Sequence, residues 1–443
     1  MPAASLQFRQ KNGWPADRRR STLRASAEAA RAALGGETGA WLVPASTLAA
    51  IAVAAAMGTS AIVFSEPAVA DILMAAVIVG LPLLGVTRFG HTAILNLMLW
   101  LVLVACGIAA CAMSTTMNTA ITHQVVTLYL VLGAFVLAGY IAADPEPRFH
   151  LVMRFYTLAC VVAAVAGLAG YFNVLPGAYE LFTNHGRARG TFKDPNVFGA
   201  ALAPAIVYTA WIVLRFPLRQ AAIAAAVSFP LMLALLLSFS RGAWISAAFS
   251  LLIAVWLSVV TTRRRRDHVR LVAVGTLGTL VLTLALANTL RHESISSLLS
   301  ERASFDQSYD SGPEGRFGGQ AKAVGLILEN PFGIGTHTFR DSYHEEEPHN
   351  VYLSQFLNAG WLGGMLYVIS VLGTLAAGLY AARRRTVLQG PLIIATAAFT
   401  GVVLEGLVID TDHWRHFFLQ MALIWGLVDA MPSAENAERR RHD

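Results

Sequence analysis

Charged residues are scarce in this chain of 443 residues: Asp, Glu, Lys and Arg make up 14% of it, against 56% for apolar types. So few charges cannot clothe soluble domains of this total size. Soluble enzymes, nucleic-acid readers and secreted disulfide scaffolds are therefore excluded as descriptions of the whole. Cysteine is rarer still. Cys106, Cys111 and Cys160 each sit inside an apolar run, where a thiol behaves as a small hydrophobe, so neither a disulfide framework nor a thiolate metal site is expected. Internal repeats are missing, and low-complexity sequence is confined to the basic tails, which read as solvated and disordered. The pI near 9.4 is no sign of nucleic acid until the cations have been placed relative to a bilayer.

What the chain has in abundance is long apolar runs, at a mean hydropathy of +0.55. A hydrocarbon core of about 30 Å needs roughly 20 apolar residues as helix, and backbone in lipid must satisfy its own polar groups, so such runs are helices. Twelve are predicted, at 41–64, 69–86, 93–113, 121–142, 151–172, 198–214, 219–238, 242–260, 270–289, 362–382, 389–409 and 413–431. The fold class is all-α, a polytopic membrane protein. A basic cytoplasmic tail (1–40) precedes the membrane domain (41–431), and a short cytoplasmic tail (432–443) follows it. The run at 41–64 is long enough to span and reads as an uncleaved first helix rather than a signal peptide.

Orientation follows from Lys and Arg, which favour cytoplasmic loops. With the N-terminus inside, 23 of the 33 cations fall on the cytoplasmic side and 10 outside, and an even span count returns the C-terminus inside. The outside cations gather in two loops, about 173–197 and 290–361, and at two helix ends. Long loops are where function concentrates, so the site is expected on the outer face.

In the first loop, Arg187, Arg189 and Lys193 stand among Gly186, Gly190 and Pro195. Guanidinium groups bind phosphate oxygens in bidentate fashion and keep their charge, so this is an anion-site candidate; contact with lipid headgroups is the plainer alternative. Ser240-Arg241-Gly242 interrupts an apolar stretch, and an arginine at a membrane helix end either serves a site or snorkels as an anchor. The long loop holds Gly315-Arg316, then an amphipathic stretch through Leu328, then Asn330-Pro331-Phe332-Gly333-Ile334-Gly335, and ends in His344-Glu345-Glu346-Glu347-Pro348-His349-Asn350. A metal on His344, Glu345 and His349 is disfavoured, since Pro348 breaks the helical phasing that strong zinc patterns use. A lone general base fits better, an imidazole with a neighbouring carboxylate. Asp410-Thr411-Asp412-His413-Trp414-Arg415-His416 forms a last polar cluster, readable as an interfacial anchor or as a substrate contact through His413.

These residues resemble the O-antigen ligase and polysaccharide polymerase superfamily of bacterial inner membranes. His349-Asn350 followed by Gly360 and Gly363 looks like the ligase signature. Arg189-Gly190-Thr191-Phe192 with Asp194-Pro195-Asn196, Ser240-Arg241-Gly242, and Gly315-Arg316 ahead of Asn330-Pro331-Phe332-Gly333-Ile334-Gly335 support it, over about 187–430. The resemblance implies a metal-independent glycosyltransferase without cofactor. It would move a glycan from an undecaprenyl-pyrophosphate carrier to an acceptor hydroxyl, on lipid A-core or a growing polysaccharide, with the active site facing the periplasm. Nucleic acid is not expected as a partner; membrane lipids are. By the same resemblance His349 is the base and Arg241 and Arg316 bind the donor pyrophosphate, with Arg187 and Arg189 less securely placed; Asn350, and His413 from the polar cluster, are further substrate-binding candidates. The acidic Glu345 to Glu347 run favours an uncharged sugar acceptor. A transporter or flippase of lipid-linked oligosaccharide is the alternative for a twelve-span chain; the ionisable residues clustered outside rather than at mid-span speak against it.

Overall fold

The computed structural model describes residues 44–262 and 315–442, with six scattered positions between; of residues 436–442 only the backbone is described. The N-terminal tail, nearly all of the predicted span 270–289 and the first part of the long loop lie outside the described residues. In chain order the helices are α1 (Ala45–Gly58), α2 (Val69–Leu83), α3 (His91–Ala110, ending in a 3-10 turn), α4 (Met117–Ala143), α5 (Pro145–Tyr171) and the short α6 (Ala178–Phe182). After a two-stranded hairpin come α7 (Pro195–Arg215), α8 (Leu218–Leu237), α9 (Arg241–Thr261), α10 (Arg316–Glu329), the short α11 (Thr338–Ser342), α12 (Val351–Ala382), α13 (Gln389–Glu405) and α14 (Arg415–His442). Among the described residues, α3, α4, α5, α7, α8, α9, α12 and α14 are long and apolar enough to cross a membrane, and α1, α2 and α13 are apolar but shorter. Eleven of the twelve predicted spans thus correspond to a helix, and the protein is an all-α multi-pass membrane protein.

Two boundaries depart from expectation. The C-terminal tail, read as disordered, continues α14 to His442; its Ala, Glu and Arg residues are good helix formers. The tenth span starts at Val351 rather than 362, because the helix runs through a break at Gly360, where φ is 69° and ψ −174°. The break has a tenant. Ile334 N–H donates to Leu357 O (2.8 Å) and Trp361 N–H to Pro331 O (2.9 Å), so the Asn330–Gly335 segment takes up backbone groups that the interrupted helix leaves open. A Cβ on Gly360 would stand 2.6 Å from Pro331 O, and one on Gly333 2.7 Å from Leu357 O. Only glycine permits that approach.

The helices are tied by buried polar links, as expected where lipid supplies no drive for helix association. Trp100 donates to Ser370 (2.9 Å), which donates to Asn96 (2.8 Å), joining α3 to α12. The Asp429 carboxylate of α14 accepts from Thr92 N–H and Ala93 N–H at 2.8 and 3.0 Å, an anion placed at the positive N-terminus of α3. At one end of the bundle Arg148 donates to Val86 O and Tyr140 O and Arg215 to Thr262. The opposite end carries the hairpin, the α8–α9 turn, α10 and the start of α12.

Candidate functional site

That opposite end holds the residues singled out by motif. Arg187 opens the second strand of the hairpin, whose ladder pairs Thr183 with Ala188 and Asn184 with Arg187. His185 and Gly186 turn the chain with φ of 49° and 71°, the left-handed backbone a two-residue hairpin needs. From there Arg187 Nε donates to Ser238 O (2.7 Å) and Nη2 to Asn196 Oδ1 (2.6 Å), lashing the hairpin to the α8–α9 turn and to the start of α7. Asp194 caps α7 through Asn196 N–H (2.6 Å), with Pro195 in its first turn. Ser240 caps α9 through Ala243 N–H (3.3 Å), which fixes Arg241 as the first residue of that helix. Arg316 is likewise the first residue of α10. Two of the three arginines therefore project from helix N-termini, where the dipole also favours an anion.

His349 stands just ahead of α12, at a φ of 48°. Asn350 next to it is the cap, accepting from Tyr352 N–H and Leu353 N–H at 3.1 and 3.2 Å while its own amide donates to Leu407 O (3.1 Å). Val351 N–H donates to Gly406 O (2.9 Å). The imidazole is thereby held over the end of α13. Its Nε2 lies 2.9 Å from Glu346 Oε2, and its Nδ1 4.0 Å from Asp410 Oδ2.

These side chains enclose a cavity of about 330 Å³ lined by Arg187, Arg241, Arg316, Glu346, His349 and Glu405, among others. A second cavity, about 380 Å³, lies against it and is lined by Arg340, Glu345, Glu346, Glu347, His349 and Asp410. His349 and Glu346 border both. One chamber gathers three guanidinium groups; its neighbour carries four carboxyls and one arginine.

The remaining candidates sit elsewhere. Arg189 turns its guanidinium to the carbonyls of Leu181 (3.2 Å), Glu180 and Lys193 (both 3.5 Å) and does not line the arginine chamber. Asn350 acts through the helix cap. His413 lies in a separate, largely apolar cavity with Arg415 and Asp71, and Arg415 forms a bidentate pair with Asp71 at 2.6 and 2.7 Å. His344 is buried, its ring 5.7 Å from that of Phe339 and against Gly319, so it does not join Glu345 and His349 at the cavity walls.

The motifs left three carboxyls out of the site. Glu405 is 3% exposed, and its carboxyl makes no close hydrogen bond, with the Ser246 hydroxyl as a polar neighbour; the only signal was a single acid in an otherwise apolar span. Glu346 and Asp410 belonged to acidic clusters whose direction the sequence did not show. Burial, reinforced by Asp412, pushes the Asp410 carboxyl up to about 7, against the hydrogen bond from Ser354 (2.5 Å). Burial acts on Asp412 as well, but the hydrogen bond from His123 and the charge of His413 overcome it and hold this carboxyl well below the usual range. Burial and the adjoining His123 bring the His413 imidazole down to about 4.

An imidazole edged by carboxyls, beside clustered arginines, can accept a proton while an anion is held nearby. No curated protein matches the chain. A family model described as O-antigen ligase (Wzy_C) matches residues 223–368, about a third of the chain, including Arg241, Arg316 and His349. That match is consistent with the O-antigen ligase and polymerase superfamily, and supports a general role as an enzyme of glycan ligation or polymerisation for this membrane protein.

Proposed function

We propose that the protein transfers a glycan from an undecaprenyl-pyrophosphate carrier to an acceptor hydroxyl at the periplasmic face of the inner membrane. The observation that carries this is the chamber in which Arg187, Arg241 and Arg316, from three separate elements, meet His349. The donor pyrophosphate lies among the arginines. The acceptor enters the acidic chamber and meets the donor at the shared wall. Its hydroxyl oxygen attacks the anomeric carbon, the bond from that carbon to the phosphate oxygen breaks, and the electron pair leaves with the carrier pyrophosphate. The hydroxyl proton passes to His349. Charge develops on the leaving group, and guanidinium groups fixed before the reaction stabilise it without reorganisation; this supplies what a divalent metal supplies in other transferases, so the reading is metal-independent. Asp410 is too far from Nδ1 to hydrogen-bond it but near enough to stabilise the imidazolium that forms.

The carboxyl-lined chamber suits an uncharged, hydroxyl-rich sugar and would repel a phosphorylated one. This supports the polymerase or exopolysaccharide member of the family over transfer to a phosphorylated lipid A-core. The outer-face placement is supported by the chamber lying at the end of the bundle opposite Arg148 and Arg215. The test is reconstitution of the full chain in proteoliposomes with undecaprenyl-pyrophosphate-linked repeat units and, in separate arms, a neutral oligosaccharide or lipid A-core acceptor. Release of carrier pyrophosphate together with a lengthened glycan is expected, faster with the neutral acceptor. Movement of the intact lipid-linked donor between leaflets with no cleavage of the pyrophosphate linkage would instead establish the flippase alternative.

A further inference from the structure

We propose a metal site, separate from the arginine chamber, formed by His123, Asp412 and His413, with a zinc-type divalent transition cation as its ligand. One nitrogen from each histidine and one oxygen from the aspartate lie within 4.8 Å of one another. Around a tetrahedral zinc with bonds of 2.0–2.1 Å, such atoms stand about 3.3 Å apart, so closure by up to about 1.5 Å brings them to ligating distance. The donor set is two imidazoles and a carboxylate, with room for a fourth ligand.

Hydrogen bonds hold the three side chains of the cluster together. The Thr127 hydroxyl has one proton, which it donates to His123 O (3.0 Å). Its 2.9 Å contact with His413 Nε2 must then use an oxygen lone pair, so Nε2 carries the hydrogen and Nδ1 presents a lone pair. Asp412 Oδ2 accepts from Gln355 (2.9 Å) and lies 3.3 Å from His123 Nε2, a hydrogen-bonded contact whose proton an ion would replace. The two imidazoles stack with centroids 3.8 Å apart and planes 23° from parallel, a spacing hostile to two imidazolium charges; because ring lone pairs lie in the ring plane, one ring turns out of the stack when both nitrogens bind the ion. His337 approaches His123 edge-on, centroids 5.5 Å apart, and its Nδ1 lies 3.1 Å from Glu347. A carboxylate on one ring nitrogen is the usual outer support of a metal-ligating histidine, which makes His337 Nε2 the candidate fourth ligand.

The cluster joins α4, the loop before α11 and the 410–414 turn, three parts of the chain far apart in sequence. An ion there would be structural. It would clamp the turn that carries Asp410 to α4, and no step of glycan transfer would pass through it.

The test uses the full chain purified through a tag without histidine, stripped with a chelator and titrated with Zn²⁺ or Co²⁺. Expected results are one ion bound per chain, a Zn²⁺-dependent rise in Tm, and the intense visible bands of four-coordinate Co²⁺. His413→Ala and Asp412→Asn should abolish the Co²⁺ bands. Thr127→Ala, which removes only the outer hydrogen bond, should weaken binding by about 10- to 100-fold. His344→Ala, away from the cluster, should bind as wild type does. Should the variants not fold, the wild-type titration alone decides. Absence of Co²⁺ bands and of any Tm shift in wild type, or equal binding by His413→Ala, would overturn the site and leave a hydrogen-bonded network only.

Discussion

Replacing His349 separates donor binding from chemistry, and the structure dictates how to do it. The backbone there has a φ of 48°, a left-handed conformation that alanine tolerates poorly and asparagine well. His349→Asn therefore keeps the turn ahead of α12 while removing the basic nitrogen. The cap and tether at Asn350 and Val351 depend on neighbouring atoms and should survive, so Tm is expected to move little. The proposed donor contacts, Arg187, Arg241 and Arg316, lie on other elements, so the Kd for carrier-linked donor should stay within roughly threefold. Transfer should slow by about 10²- to 10⁴-fold, the usual contribution of a general base, equal to about 3–5 kcal/mol at 1.36 kcal/mol per decade. Single-turnover transfer of a radiolabelled glycan, with donor binding measured in parallel by filter retention, reads both quantities. Glu346 is 70% exposed in its side chain, so its hold on Nε2 is weak and Glu346→Gln should cost less than about tenfold. His344→Ala is the control, since that ring borders neither chamber. Transfer by His349→Asn within tenfold of wild type, or an equal loss in His344→Ala, would remove the base assignment.

The other expectations concern binding, packing and topology. Arg241→Lys should weaken donor binding by at least about tenfold, because an ammonium cannot reproduce the bidentate fork; full activity of this variant in a donor-depletion assay would reduce Arg241 to an anchor. Glu405→Gln should keep or raise Tm, since glutamine removes an ionisable group that is buried and poorly hydrogen-bonded; a fall of several degrees on differential scanning would mean that the charge is used. Gly360→Ala should cost more than about 2 kcal/mol, as it combines a backbone conformation open mainly to glycine with a 2.6 Å clash on Pro331 O; an unchanged melting curve would contradict the account of the helix break. Alkaline phosphatase fused after residue 320 should be active and after residue 265 inactive, and the reverse pattern would invert the membrane orientation.

Much of the fold was legible in the chain because the bilayer imposes a severe rule. A run of some 20 apolar residues in hydrocarbon has one backbone solution, and the distribution of 33 cations gives the direction expected of it. Two helix starts, at Asp194-Pro195 and Ser240-Arg241, fall within a few residues of the predicted 198 and 242, because capping is settled between residues two or three apart. Motif order also brought Arg241, Arg316 and His349 forward together. Only the tertiary structure decided which cations converge. Arg187 and Arg189 are two residues apart in a Gly-rich loop, yet the two-residue hairpin turn points one into the chamber and commits the other to the carbonyls of Glu180, Leu181 and Lys193. Whether the stretch from Val351 to Trp361 was loop or helix depended on residues 331–334 arriving to take up the backbone groups left open at Gly360. Glu405 and Asp410 acquired their setting from how α9 and α12 pack on the end of α13, and the grouping of His123 with Asp412 and His413 joins positions almost 290 residues apart. Local hydropathy and capping are short-range properties that the amino-acid order states directly. The electrostatic character of a side chain depends on neighbours brought in from distant helices, and those are chosen only when the bundle packs.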